Sequence, residues 1–184
     1  PPPPPSPSPA APPSPTPGRI VSGSADYDGD GADDLALFRP SDGGWRVRET
    51  TAVFYGTAGD IPVPGDYDAD GLCDIAVFRP SEAKWWLRNP AGGSLWRAVF
   101  GRAGDIPVPA DYDGDFATDT ALFRPSTGQW FVRSVSSFSF GQRGDAPAPG
   151  DYDGDGRAEA AVWRPNGWYV RGITQEVIGI AGHV

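Results

Sequence analysis

Sixteen carboxylates of this chain fall into four short loops of one pattern, D-x-D-x-D-x-x-x-D/E. They are Asp26, Asp28, Asp30 and Asp34; Asp66, Asp68, Asp70 and Asp74; Asp111, Asp113, Asp115 and Asp119; and Asp151, Asp153, Asp155 and Glu159. Positions 1, 3 and 5 of such a turn put three hard oxygen ligands on one side. Position 7 offers a carbonyl and position 9 closes the shell. A flexible cage of oxygens suits Ca2+, whereas Mg2+ wants a stricter octahedron. Gly31, Gly71 and Gly156 stand where the chain bends sharply, but the third loop has Phe116 there, which predicts a distorted or weaker site. An EF-hand is excluded: Leu37, Val77, Leu122 and Val162 replace its twelfth-position glutamate, and a strand follows instead of a helix. Ion-free turns use the same residue types. Four loops in register, each crowding like charges, favour a counter-ion. The expectation is up to four structural Ca2+ ions, each locking one turn.

The loops also explain the charge. They hold 16 of the 24 acidic residues; without them, 15 basic groups face 8 acidic ones in a chain of net charge −9. The acidity is local, and nothing argues for nucleic-acid binding. Catalysis finds little support either. The single histidine is His183, and the single cysteine, Cys73, sits inside a loop as a small spacer. No Ser-His-Asp set or phosphate-cradling glycine loop can be assembled. One cysteine excludes an internal disulfide framework. No apolar run reaches the length of a membrane span. The chain has no Met and opens on Pro1, which suggests a processed or partial polypeptide.

Around each loop the sequence repeats. Asp-Tyr-Asp recurs at Asp26, Asp66, Asp111 and Asp151, at intervals of 40, 45 and 40 residues. An apolar run ending in Arg-Pro follows each: Leu35 to Pro40, Ile75 to Pro80, Thr120 to Pro125 and Ala160 to Pro165. A second run starts at Trp45, Trp85, Trp130 and Trp168. A third ends at Tyr55-Gly56, Phe100-Gly101, Phe140-Gly141 and Ile178-Gly179, and a segment such as Gly59 to Pro64 leads into the next loop. These short β-branched and aromatic runs read as strands. Leu35 to Phe38 is apolar on both faces, which predicts a strand buried on both sides. Trp45 and Val47 share one face while Arg46 and Arg48 take the other. Asp60, Asp105 and Asp145 recur in register as partners for Arg39, Arg79, Arg124 and Arg164.

The expected fold class is all-β, a β-propeller of four ~40-residue blades over about residues 20–60, 61–105, 106–145 and 146–184, within one unit 19–184. Three closures fit this count: a four-bladed ring, half of an eight-bladed ring shared by two chains, or part of a longer array. The units resemble the FG-GAP/VCBS repeats of integrin-α-type propellers, through Phe100-Gly101, Phe140-Gly141, the four Asp-Tyr-Asp loops and Ala76 to Ser81. The resemblance covers the chain after about residue 20 and implies calcium in inter-strand loops and an extracellular adhesion or scaffolding role. The family's Gly-Ala-Pro segment is absent, so integrin-like ligand binding does not carry over.

Residues 1–18 form a separate proline-rich stalk or linker, with 11 of the chain's 22 prolines in residues 1–17. Such a segment adopts polyproline II at ~3.1 Å per residue. Its Ser-Pro pairs resemble hydroxyproline-rich cell-wall glycoproteins, which implies O-linked glycans; no Asn-x-Ser/Thr sequon is present. The functional expectation is a non-enzymatic, calcium-binding structural subunit of a cell-surface or matrix assembly. It would self-associate, or join other extracellular proteins, through a fibre linked by the proline-rich segment. The alternative is a lectin-like module binding carbohydrate through Trp85 or Trp86 and Trp96.

Overall fold

The computed structural model describes residues 20–21, 25–165 and 167–173, and these are all-β. The first sheet comprises β1 (Ile20–Val21), β2 (Ala36–Arg39), β3 (Gly44–Val47) and β4 (Thr51–Phe54). The second comprises β5 (Ile61–Pro62), β6 (Ile75–Arg79), β7 (Lys84–Arg88) and β8 (Ser94–Val99). The third holds β9 (Ile106–Pro107), β10 (Ala121–Arg124), β11 (Gln129–Val132) and β12 (Ser136–Ser139). The fourth holds β13 (Ala146–Pro147), β14 (Ala161–Arg164) and β15 (Gly167–Val170). Every sheet is an antiparallel meander in chain order. The proline-rich segment of residues 1–18 lies outside the described residues, as does His183.

The repeat fixes the register. Phe38 pairs with Trp45, Phe78 with Trp85 and Phe123 with Trp130. The ring centroids of these pairs lie 5.1, 5.3 and 5.2 Å apart in a tilted arrangement, a geometry that suits the aromatic quadrupole. In the fourth sheet Trp163 pairs with Trp168. The Arg-Pro turns close by a bond such as Gly128 N–H to Arg124 C=O, 2.9 Å. Gly128 is required there: its φ is +66°, and a Cβ would collide with the carbonyl of Gly141.

The Ile-Pro segments, and Ala146-Pro147 in the fourth sheet, read from sequence as leaders into the loops, are short first strands. Proline is tolerated because β5, β9 and β13 each pair with one neighbour, leaving the missing N–H on a free edge. Pairing continues one step further, with Val63 N–H donating to Ala76 C=O and Val108 N–H to Ala121 C=O, both 2.9 Å.

Consecutive sheets pack face to face. Ala36, Phe38, Trp45 and Val47 meet Ile75 and Val77 of the second sheet. Ala76, Phe78, Trp85 and Leu87 meet Leu122 of the third. Ala121, Phe123, Trp130 and Val132 meet Ala160 and Val162 beside the fourth. Among the described residues no core cluster joins the fourth sheet to the first, and no closed ring is detected. This corrects one expectation. Leu35 is 58 % and Leu37 40 % exposed, so the first apolar run is covered on one face alone, whereas β6 and β10 are buried on both.

The ion pairs recur as well. Arg79 binds Asp60 through Nε and Nη2 at 2.8 and 2.9 Å, and Arg124 binds Asp105 at 2.8 Å through each. Arg164 Nη2 reaches Asp145 at 2.7 Å. Arg39 departs from the pattern and pairs with exposed Asp42 at 3.0 Å. In the other copies the aspartate stands 19 residues before its arginine, and Ile20 occupies that position before Arg39.

The tryptophans proposed as a sugar platform are engaged. Trp85 is fully buried. Trp86 is half-buried against the first core cluster, with Arg79, Lys84 and Arg97 cations 5.2, 5.2 and 5.4 Å from its ring. Trp96 packs on the second sheet's core with Arg133 4.6 Å from its ring.

Candidate metal centres

Each acidic loop connects the first strand of its sheet to the second. Backbone pairing ties off its base: Gly65 bridges Asp74, Ala110 bridges Asp119 and Gly150 bridges Glu159. In the first copy Asp34 N–H donates to Ala25 C=O at 2.8 Å. Inside the loop the carboxylates are oriented by the chain's own amides. The position-1 carboxylate takes the largest share. Asp26 accepts from Gly29 N–H at 2.6 Å and Gly31 N–H at 2.8 Å. Asp111 and Asp151 accept from positions 4 and 6 in the same way. The Gly31 and Gly29 amides hold the Asp26 carboxyl below the ordinary carboxylate range.

Position 5 accepts from the amide of position 7, as in Asp30 from Ala32 at 2.8 Å and Asp155 from Arg157 at 2.8 Å. Position 9 reaches back to the tyrosine amide at position 2, with distances of 2.8, 2.9, 2.9 and 2.8 Å for Asp34, Asp74, Asp119 and Glu159. One oxygen of each ninth residue therefore staples the loop. The tyrosine hydroxyls anchor below, Tyr67 donating to Val63 C=O at 2.7 Å and Tyr112 to Val108 C=O at 2.8 Å.

Four groups of carboxylate oxygens come within 4.8 Å of one another and could hold a metal ion: Asp26, Asp28 and Asp34; Asp66, Asp68 and Asp70; Asp111, Asp113 and Asp115; and Asp151, Asp153, Asp155 and Glu159. The fourth loop unites all its sequence-predicted ligands. Asp30, Asp74 and Asp119 stand outside the converged sets of their loops.

Asp74 is the most informative of the three. It is 0 % exposed, and its Oδ1 has no hydrogen-bond partner. Burial, and then the charges of Asp68, Asp70 and Asp66, push its carboxyl up to about 7 against the opposing Tyr67 amide. A buried carboxylate oxygen without a donor is costly. The oxygens that do converge in this loop, those of Asp66, Asp68 and Asp70, are hard donors that fit a hard divalent ion, and a cation among them would also relieve the repulsion that raises Asp74.

Phe116 does not disrupt the third loop's hydrogen bonding. It takes the left-handed conformation at φ 71°, and its amide donates to Asp111 Oδ2 at 2.9 Å, as the glycine amides do elsewhere. The strain sits in the backbone, not in the ligand positions.

Two contacts escaped sequence reasoning. Thr50 Oγ1 donates to Asp28 Oδ2 at 3.3 Å, and Asn89 Nδ2 to Asp70 Oδ2 at 2.8 Å. Both residues lie just after the third strand of their sheet, 24 and 23 residues past the loop's first aspartate. That offset was the one available signal.

The loops are also joined to each other. Cys73 N–H donates to Asp26 C=O at 2.6 Å, Thr118 N–H to Asp66 C=O at 2.5 Å, and Ala158 N–H to Asp111 C=O at 2.6 Å. Each bond runs from position 8 of one loop to position 1 of the loop before it. The four acidic centres therefore form a linked row along one side of the stacked sheets.

No protein-family model matches this chain, and no curated protein matches it.

Proposed function

We propose that this chain is a non-enzymatic, calcium-binding structural module of an extracellular or cell-surface assembly. Its four sheets are blades of FG-GAP/VCBS type, each locked by one Ca2+ held in its acidic loop. One observation carries the reading: in all four loops the carboxylates of positions 1 and 3 converge with at least one more, and the position-6 amide orients the position-1 carboxylate each time. A recurring ion at a recurring structural position serves the fold better than it serves chemistry at one place. The residues left over support that view. Cys73 is buried, and burial pushes its thiol up to about 12, far from a nucleophile's range.

In this reading the proline-rich segment is an O-glycosylated stalk that links copies into a fibre. Deleting residues 1–17 then abolishes fibre formation; assembly that survives the deletion rejects the link. The ion is tested by calorimetry: chelation lowers the melting temperature, and calcium restores it while magnesium restores less. An unchanged melting temperature in chelator sinks the calcium reading.

A groove of about 230 Å³ beside the fourth loop supports a second, lectin-like reading. Phe138, Asp155, Glu159 and Arg171 line it, a mixture of ring and polar groups suited to a sugar. Glycan-array binding lost in Ser136→Trp, which fills the groove without removing a carboxylate of the loop, would favour this alternative.

A further inference from the structure

The junction between sheets is made three times inside the chain, and each half of it appears once more at an end. In every junction the leading sheet supplies four covering side chains, such as Ala76, Phe78, Trp85 and Leu87, and the following sheet supplies the central residue they cover, such as Leu122. The fourth sheet carries Ala161, Trp163, Trp168 and Val170 at the covering positions, with Ala161 paired to Val170 and Trp163 to Trp168. Trp163, Trp168 and Val170 are part-exposed. The first sheet carries Leu37 at the covered position. Its outer face is a shallow groove lined by Leu37, Arg39, Arg46, Ala52 and Phe54, with Leu37 40 % and Phe54 77 % exposed.

The backbone repeats the same imbalance. The position-8 amide of the first loop belongs to Asp33 and the position-1 carbonyl of the fourth to Asp151. Neither has a partner among the described residues, while their counterparts pair at every internal junction. The arginines agree. Arg88, Arg133 and Arg171 each stack on a ring of the preceding sheet, over Tyr55, Trp96 and Phe138 at 6.0, 4.6 and 4.1 Å. Arg48, in the same register, reaches exposed Glu49 beside it.

We propose that the outer face of the first sheet docks on the outer face of the fourth sheet of a second copy of this chain, repeating the internal junction head to tail. The occupant follows from complementarity: the covering set, the covered leucine, the donor and the acceptor are those the chain already joins three times. Among the described residues no core cluster joins the two faces, and Leu37 is 40 % exposed where its counterparts Val77, Leu122 and Val162 are buried. A heterologous contact of this kind extends into a filament, or closes if the rotation per copy permits. The contact is separate from the proline-rich link proposed above, and its apolar part lies outside the acidic loops.

The test is a directed crosslink in the full chain. Leu37→Cys and Val170→Cys variants are made separately, mixed and oxidised; native Cys73 is buried and stays silent. Disulfide-linked heterodimers in the mixture, absent from either variant alone, are expected. No crosslink in the mixture overturns the proposal. So does a Leu37→Cys/Val170→Cys double variant that oxidises to an intrachain species of the 19.4 kDa chain mass. As a second readout, Leu37→Glu places a charge on an already exposed site. It should weaken association in light scattering by about a hundredfold, the loss expected when an unpaired carboxylate enters a buried contact. Association unchanged by Leu37→Glu also overturns it. Deletion of residues 1–17 reports on the earlier reading alone, and the crosslink is made without chelator so that its failure is distinct from loss of the ions.

Discussion

The third and first sheets are built from one sequence pattern but live in different surroundings. Leu122 and Leu37 occupy the same position of the repeat, yet Leu122 is 0 % exposed and Leu37 40 %. Arg124 is clamped on buried Asp105 and lies 4.3 Å from the Phe131 ring; Arg39 leans on exposed Asp42. The lesson is that this repeat is half of an interface. A copy becomes a full structural unit when a neighbour covers its second face, as expected for stacked repeats that contact their neighbours alone.

The largest test of that contrast is the ion pair. Asp105→Ala strands a buried guanidinium and should cost about 3 to 5 kcal/mol in denaturant unfolding. Asp42→Asn removes the charge of a solvated partner, keeps an oxygen for the Gly44 N–H that Asp42 accepts at 3.0 Å, and should leave the unfolding midpoint unchanged within error. Equal losses at the two sites would mean that the first copy is packed as tightly as the third, contrary to the exposures above.

The leucines give the next effect. Leu122→Ala leaves a cavity between the second and third sheets and should cost about 3 kcal/mol, while Leu37→Ala should cost about 1 kcal/mol or less in the isolated chain. The comparison sharpens if the end face is occupied. At concentrations where copies associate, the Leu37→Ala loss should grow toward that of Leu122→Ala. A Leu37→Ala loss that is independent of protein concentration would argue that nothing docks there.

Much of this architecture was legible in the sequence because the period repeats the evidence. Four copies of Asp-Tyr-Asp, Arg-Pro and Trp-x-Val/Leu-Arg place the loops and the middle strands, and the recurring Asp60, Asp105 and Asp145 point to their arginines. Three things were not legible. The Ile-Pro strands were hidden because proline reads as a breaker unless its N–H is known to face a free edge. The exposure of Leu35 and Leu37 depends on a neighbour that no local pattern encodes. The convergence of the carboxylates depends on side-chain direction: Asp30, Asp74 and Asp119 have the right spacing but stand outside their clusters. Spacing names the donors, and the turn's hydrogen bonds decide which of them meet.

The smallest effect concerns position 6 of the loops. The first and fourth loops bend through glycine at position 6, with φ of 83° for Gly31 and 90° for Gly156, whereas the third bends through Phe116 at φ 71°. A side chain in the left-handed region clashes with its own backbone and costs about 1 to 2 kcal/mol. The Phe116 ring recovers little of that by burial, since it is 85 % exposed. Phe116→Gly should therefore stabilise the chain by about 1 kcal/mol, the unfolded chain's greater freedom at glycine offsetting part of the relief. Denaturant unfolding in chelator measures the backbone contribution without the ion. Repeating it in calcium shows whether the third site also tightens. If Phe116→Gly destabilises the chain in both conditions, the phenyl group contributes to packing that its exposure hides, and the strain argument for this loop fails.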